Sequence, residues 1–185
     1  MKTFRLSLIL AVTACLILIG SKPRIARSAS PAAIGNAEAT LPAANLHAAG
    51  LPAATWRELG RALIATAKYN DVRRAVADGY VLDGAYEPGE GLHYVNFSLL
   101  DATFDIEHPE VLLYVPVPGS NHLRLVALEY VVPIDTPGTP PPAGFTGNAD
   151  VWRMMSEGFP DWSLNVWIWS YNPDGIFAFK NPRVP

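Results

Sequence analysis

The stretch LRLVALEYVV, residues 123–132, decides the fold. Ten residues, mostly branched or aromatic and free of Gly and Pro, read as a β-strand. Side chains alternate between the two faces of a strand. On that count Leu123, Leu125, Ala127, Glu129 and Val131 share one face, and Arg124, Val126, Leu128, Tyr130 and Val132 share the other. Glu129 then sits alone in an apolar row. An unpaired buried carboxylate costs several kcal/mol, so this position demands a partner or a raised pKa.

Upstream, Val111–Val115 is a second strand, closed by Pro116 and Pro118. The turn Gly119-Ser120-Asn121 joins it to the first as an antiparallel hairpin. Leu92–Phe97 is a further short strand. Residues 133–147 contain five prolines and three glycines and read as loop. Asp150–Ser156 is expected as a short helix, ended by Gly158 and Pro160. Leu164–Tyr171 is expected as a strand, followed by the turn Asn172-Pro173-Asp174-Gly175 and a return through Ile176–Phe179. Before all of these lies a helical pattern from about Thr55 to Ala77. Leu59, Leu63, Ala67 and Val72 recur on one side, and Ala75, Val76 and Tyr80 extend the stripe. Thr55 and Glu58 have capping-box spacing, Asn70-Asp71 is a candidate break, and Gly79 is a natural stop. The class is α+β: an amphipathic N-terminal helix packed on an antiparallel sheet.

The first residues concern destination. Lys2 and Arg5 precede a fifteen-residue apolar run, Leu6–Gly20, and then small and polar residues. That is the layout of a secretory signal peptide occupying residues 1–28, with Ala26 and Ser28 set for cleavage before Ala29. An uncleaved anchor is the alternative, and Val12-Thr13-Ala14-Cys15 offers a lipid-anchoring one at Cys15. Residues 29–54, rich in Ala and Pro, read as a flexible linker carrying a solvated His47. Residues 55–185 form one domain. The expected location is periplasmic or extracellular, with no membrane span after cleavage.

Cys15 is the only cysteine, so a chain starting at Ala29 has neither a disulfide nor thiol chemistry. Losing residues 1–28 removes five of fourteen basic residues and none of the seventeen acidic ones. The formal charge moves from −3 to −8. Such an acidic chain, with no basic stripe, is not built for nucleic acid.

Three sets of residues stand out. His93, in the strand 92–97, and Glu129 together suit a divalent metal or an acid–base pair, or else a hydrogen-bonded structural pair. No HxH, HxxxH or HExxH spacing accompanies them. Asn165, Trp167, Trp169 and Tyr171 would share one strand face as an aromatic row, either core or a platform for a glycan or other flat ligand. Asp101, Asp105, Glu107 and Glu110 read as a solvated acidic loop without calcium-loop spacing, and His108 and His122 as exposed. No phosphate loop, GxSxG elbow or other catalytic signature is present, so whether the chain is an enzyme stays open.

The series HYVN (93–96), PEVLLY (109–114), LRLVALEY (123–130), VWIW (166–169), NPDGIF (172–177) and NPRV (181–184) resembles a group of exported bacterial proteins without an assigned activity. The resemblance covers roughly residues 60–184. It implies a histidine before Val-Trp where this chain has Asn165, and Leu-Phe-Gly where it has Phe145-Thr146-Gly147. The leading expectation is a non-catalytic ligand-binding module of the envelope or the exterior. The alternatives are a metal or acid–base site at His93 and Glu129, or a purely structural role for those residues.

Overall fold

The computed structural model describes residues 50–136, 138–155 and 159–185. The expected signal peptide, Cys15, His47 and nearly all of the expected linker lie outside the described residues. Helix α1, Ala53–Thr66, passes through a 3-10 turn, Ala67–Asn70, into the short helix α2, Val72–Ala77. Asp71 caps α2 by accepting from the Arg73 backbone N–H, so Asn70-Asp71 marks a real break. The capping box fails. Pro52 stands at the N-cap of α1, two residues inside the expected linker. Thr55 and Glu58 bind a distant loop instead. The Thr55 hydroxyl donates to the Thr146 carbonyl, and Glu58 accepts from the Thr146 N–H and hydroxyl. Val76, expected on the buried stripe, is exposed.

The strands are β1 (Val81–Glu87), β2 (Gly91–Val95), β3 (Val111–Pro116), β4 (Leu123–Pro133), β5 (Arg153–Met155) and β6 (Asp161–Val166). They form one sheet in the order β1-β2-β3-β4-β6-β5, antiparallel throughout. Together with the helices this is an α+β domain. Among the described residues no helix is long and apolar enough to cross a membrane.

Three sequence expectations are corrected. β1 has no counterpart among the expected strands: it is exposed along nearly its whole length and interrupted by Asp83-Gly84, so it carries no apolar alternation. The expected helix at Asp150–Ser156 is instead the edge strand β5. β6 ends at Val166 rather than Tyr171, because the Trp167 N–H leaves the ladder to bond the Ile176 carbonyl, and Ile176–Phe179 returns as turns.

The simple alternation along β4 also breaks. The register slips between Leu113↔Ala127 and Tyr114↔Leu125, leaving Val126 as a bulge. Leu125 therefore joins Leu128 and Tyr130, with Leu59 and Leu63 of α1, in one core. Val126, Ala127 and Val131 belong to a second core with Val111, Leu113, Trp167 and Val184. Tyr80, Tyr114 and Tyr130 are fully buried, and each donates its hydroxyl to a backbone carbonyl between the main elements, those of Pro109, of Tyr69 in the 3-10 turn and of Ile106. Each ring thus fills the core while its polar tip fastens a connection.

Gly91 opens β2 with φ +106°, and a Cβ there would press into the Tyr114 carbonyl oxygen. Gly91→Ala is expected to cost about 2–3 kcal/mol, from the strained conformation plus the displaced carbonyl. Urea unfolding of the purified variant checks this, and a midpoint equal to wild type would contradict it.

Candidate functional site

The second face of the sheet carries the polar residues. His93 of β2 and Glu129 of β4 come together across β3, with Nε2 to Oε2 at 3.6 Å. Glu90, in the turn before β2, places its Oε2 3.7 Å from the same imidazole nitrogen. Its other oxygen meets the Lys180 ammonium at 3.1 Å. Ser163 of β6 donates to Glu129 Oε1 at 2.5 Å. The result is a chain of contacts, Ser163–Glu129–His93–Glu90–Lys180. Glu129 and Glu90 are both buried, whereas Lys180 reaches solvent.

The environment sets the charge on each member. Burial alone would lower the pKa of His93, but the carboxylates of Glu90 and Glu129 outweigh it and hold the ring above its ordinary value. Burial works against an ionised Glu90, yet His93 and Lys180 bring its pKa below the usual range. Glu129 is pushed up by burial, with His93 and Ser163 opposing. Asp161 rises to about 6, through burial and then the nearby Glu129. Among the described residues, no three His, Cys, Asp or Glu side chains converge to hold a metal ion. At the far side of Glu90, Lys180 supplies a cation of its own.

The four residues expected to form an aromatic row do not share a face. Asn165 and Trp167 are buried on the second face. Trp169 is half-buried against the helix-side core, and its indole donates to the Thr66 hydroxyl. Tyr171 lies beyond β6 under the Arg183 guanidinium. The end of β6 at Val166 destroys the period-two spacing on which the row depends. Asn165 and Trp167 instead grip the returning chain. The Asn165 amide donates to the Phe179 carbonyl and the Trp167 indole to the Ala178 carbonyl, both at 2.6 Å. Asn172 and Asn181 add bonds to the Lys180 and Tyr171 carbonyls. Asn165 Oδ1, opposite Glu129 in the ladder, is buried without a hydrogen-bond partner among the described residues.

The segment so pinned is the floor of an open groove of about 930 Å³. Ile176, Phe177 and Phe179 line it from below, Val151 and Arg153 from the β5 side, and Lys180 at the link to the buried contact chain. Val151 is 56 % exposed, an apolar side chain held open to solvent. No local pattern marks this groove. Its walls come from separate segments, and the bonds that fix its floor join Asn165 of β6 and Trp167 just beyond it to the carbonyls of Phe179 and Ala178.

Glu110 is a correction of a different kind. Expected in a solvated acidic loop, it is 2 % exposed, and its carboxyl accepts from the Val131 N–H at 2.9 Å, extending the ladder where β3 has not yet begun. Asp101 and Asp105 remain exposed, as do His108 and His122.

Comparison with family models, with curated proteins and with solved structures finds no match.

Burial raises the pKa of Glu110 to about 8. A folded-state pKa above the unfolded one gives stability that is complete below the unfolded value and lost as pH rises through the folded one. Glu110, Asp161 and His93 all have this sign; Glu90 has the opposite sign and matters only in acid. Stability is therefore expected to fall between pH 5 and 8, and Glu110→Gln to flatten that fall. Thermal melts across the range test it, and parallel profiles would refute the assignment. Asn165→Ala, which strips the Phe179 carbonyl of its donor, is expected to destabilise by about 1–3 kcal/mol in denaturant titrations.

Proposed function

We propose that this protein is a non-catalytic ligand-binding module, exported to the periplasm or the exterior, and that its ligand lies in the groove between β5 and the pinned 176–180 segment. The observation that carries this reading is the groove itself. Small-molecule sites are clefts of roughly 300–1,000 Å³, mostly apolar, with a few placed polar groups and little freedom to collapse. A volume of about 930 Å³, the apolar Val151 and Phe179, and a floor tied by two buried side chains meet that description. The basic and apolar N-terminal sequence supports export, and the resemblance to a group of exported proteins agrees with it.

In this reading Asn165 and Trp167 serve binding by holding the floor rather than by touching the ligand. Trp169 and Tyr171 stand outside the groove lining, which favours a small molecule in the groove over a glycan stacked on an aromatic row. The contact chain around His93 and Glu129 is then structural. A metal or acid–base site there is the competing proposal, and the Lys180–Glu90 pair weighs against it because an ammonium already satisfies one of the carboxylates.

A screen of small molecules and oligosaccharides by melting-temperature shift tests the reading. Compounds that stabilise the wild-type protein are expected to lose their effect in Val151→Arg, which fills the groove from an exposed position. Hits that survive this substitution undiminished would remove the groove from consideration.

A further inference from the structure

The charged residues lining the groove are Arg153, Lys180 and Asp174. Lys180 is already engaged, its ammonium 3.1 Å from both Glu90 Oε1 and the Pro88 carbonyl. Arg153 is not: among the described residues no carboxylate pairs with it. Its backbone is fixed by the pairing of β5 with β6, opposite Ser163. Its guanidinium lies over the Phe179 ring, 4.6 Å from the centroid. Stacking of this kind orients the plane of the group and covers a face, while the N–H edge stays available for a two-pronged bond to an anion. The ring beneath it belongs to the residue whose carbonyl Asn165 holds, so the perch is anchored to the sheet.

The surroundings of that cation are apolar. Val151, two residues earlier on the same wall, is exposed, and Phe177 and Ile176 continue the floor. A ligand complementary to this arrangement has one anionic head and an apolar body. Resting on the groove reading above, we propose that the ligand is an amphipathic organic anion, a carboxylate or phosphate monoester whose head is bound by Arg153 and whose chain lies along Val151 and Phe179. Asp174 disfavours a second anionic group, so the class is singly headed.

The probes are decanoate, decyl phosphate and the neutral 1-decanol, each titrated calorimetrically against the full chain below its aggregation limit. Both anions are expected to bind more tightly than the alcohol; whichever is tighter identifies the head. Arg153→Gln is expected to weaken the anions by about tenfold, the scale of one charge-assisted hydrogen bond, and to leave decanol within about twofold. Arg153→Lys, which keeps charge but not the fork, should fall between. Arg153 is exposed, so these variants should melt near wild type, and their melting curves are recorded alongside. Equal binding of decanoate and decanol, or an Arg153→Gln variant that binds the anions like wild type, overturns the anion proposal. If that binding is still lost in Val151→Arg, the groove reading stands without it. No binding of either anion also overturns the proposal, and the groove is then judged on the neutral compounds alone.

Discussion

Strand β4 is apolar on both faces, and everything else in the domain follows from the need to cover it twice. Residues 125–132 are all buried. One face receives α1, the tyrosine-rich core and Ile168, Ile176 and Phe177 of the returning chain, and the other is closed by Trp167, Val184 and the backbone that Asn165 and Trp167 hold at Ala178 and Phe179. The first cover is secondary structure, which satisfies its own backbone. The second is not. A turn-rich segment laid over a sheet face carries carbonyl groups that need donors, and here Asn165, Trp167, Asn172 and Asn181 supply them from side chains. The polar residues of the second face are therefore part of the cover. Glu129 shares that face, and its burial is tolerable because His93 and Ser163 reach it.

What the sequence disclosed matches where local chemistry dominates. The β3–β4 hairpin is legible because apolar runs are bounded by prolines and a Gly-Ser-Asn turn. The proximity of His93 and Glu129 is legible from a charge that has nowhere else to go. The face assignment along β4 is only half right: one bulged residue, Val126, transfers Leu125 to the other side, and nothing in a run of uniformly apolar residues marks where a bulge falls. β1 escapes notice because exposed strands lack a burial pattern.

The groove is illegible for a different reason. Its residues are visible individually, but period-two spacing carries Asn165 and Trp167 along a strand that continues to Tyr171. A backbone bond from Trp167 to Ile176 diverts the chain, and such a bond depends on tertiary position rather than on residue type. Glu90 and Lys180 likewise give no signal, since an ion pair between residues ninety positions apart has no local period.

The turn at Pro88–Glu90 is clasped to Lys180–Pro185. The Lys180 ammonium bonds the Pro88 carbonyl across 92 positions of chain, the Asn181 N–H bonds the Gly89 carbonyl, and the Pro185 carbonyl accepts from the Gly89 N–H. Contacts of such sequence separation are entropically dear to close and form after local ones, which slows folding. The hairpin of β3 and β4 can assemble early, while the clasp on the Pro88–Glu90 turn waits for residues 180–185. Through that interval the second core lacks Val184 and the backbone that Trp167 grips, and the vulnerable period in the life of this molecule is the one before residues 178–185 dock.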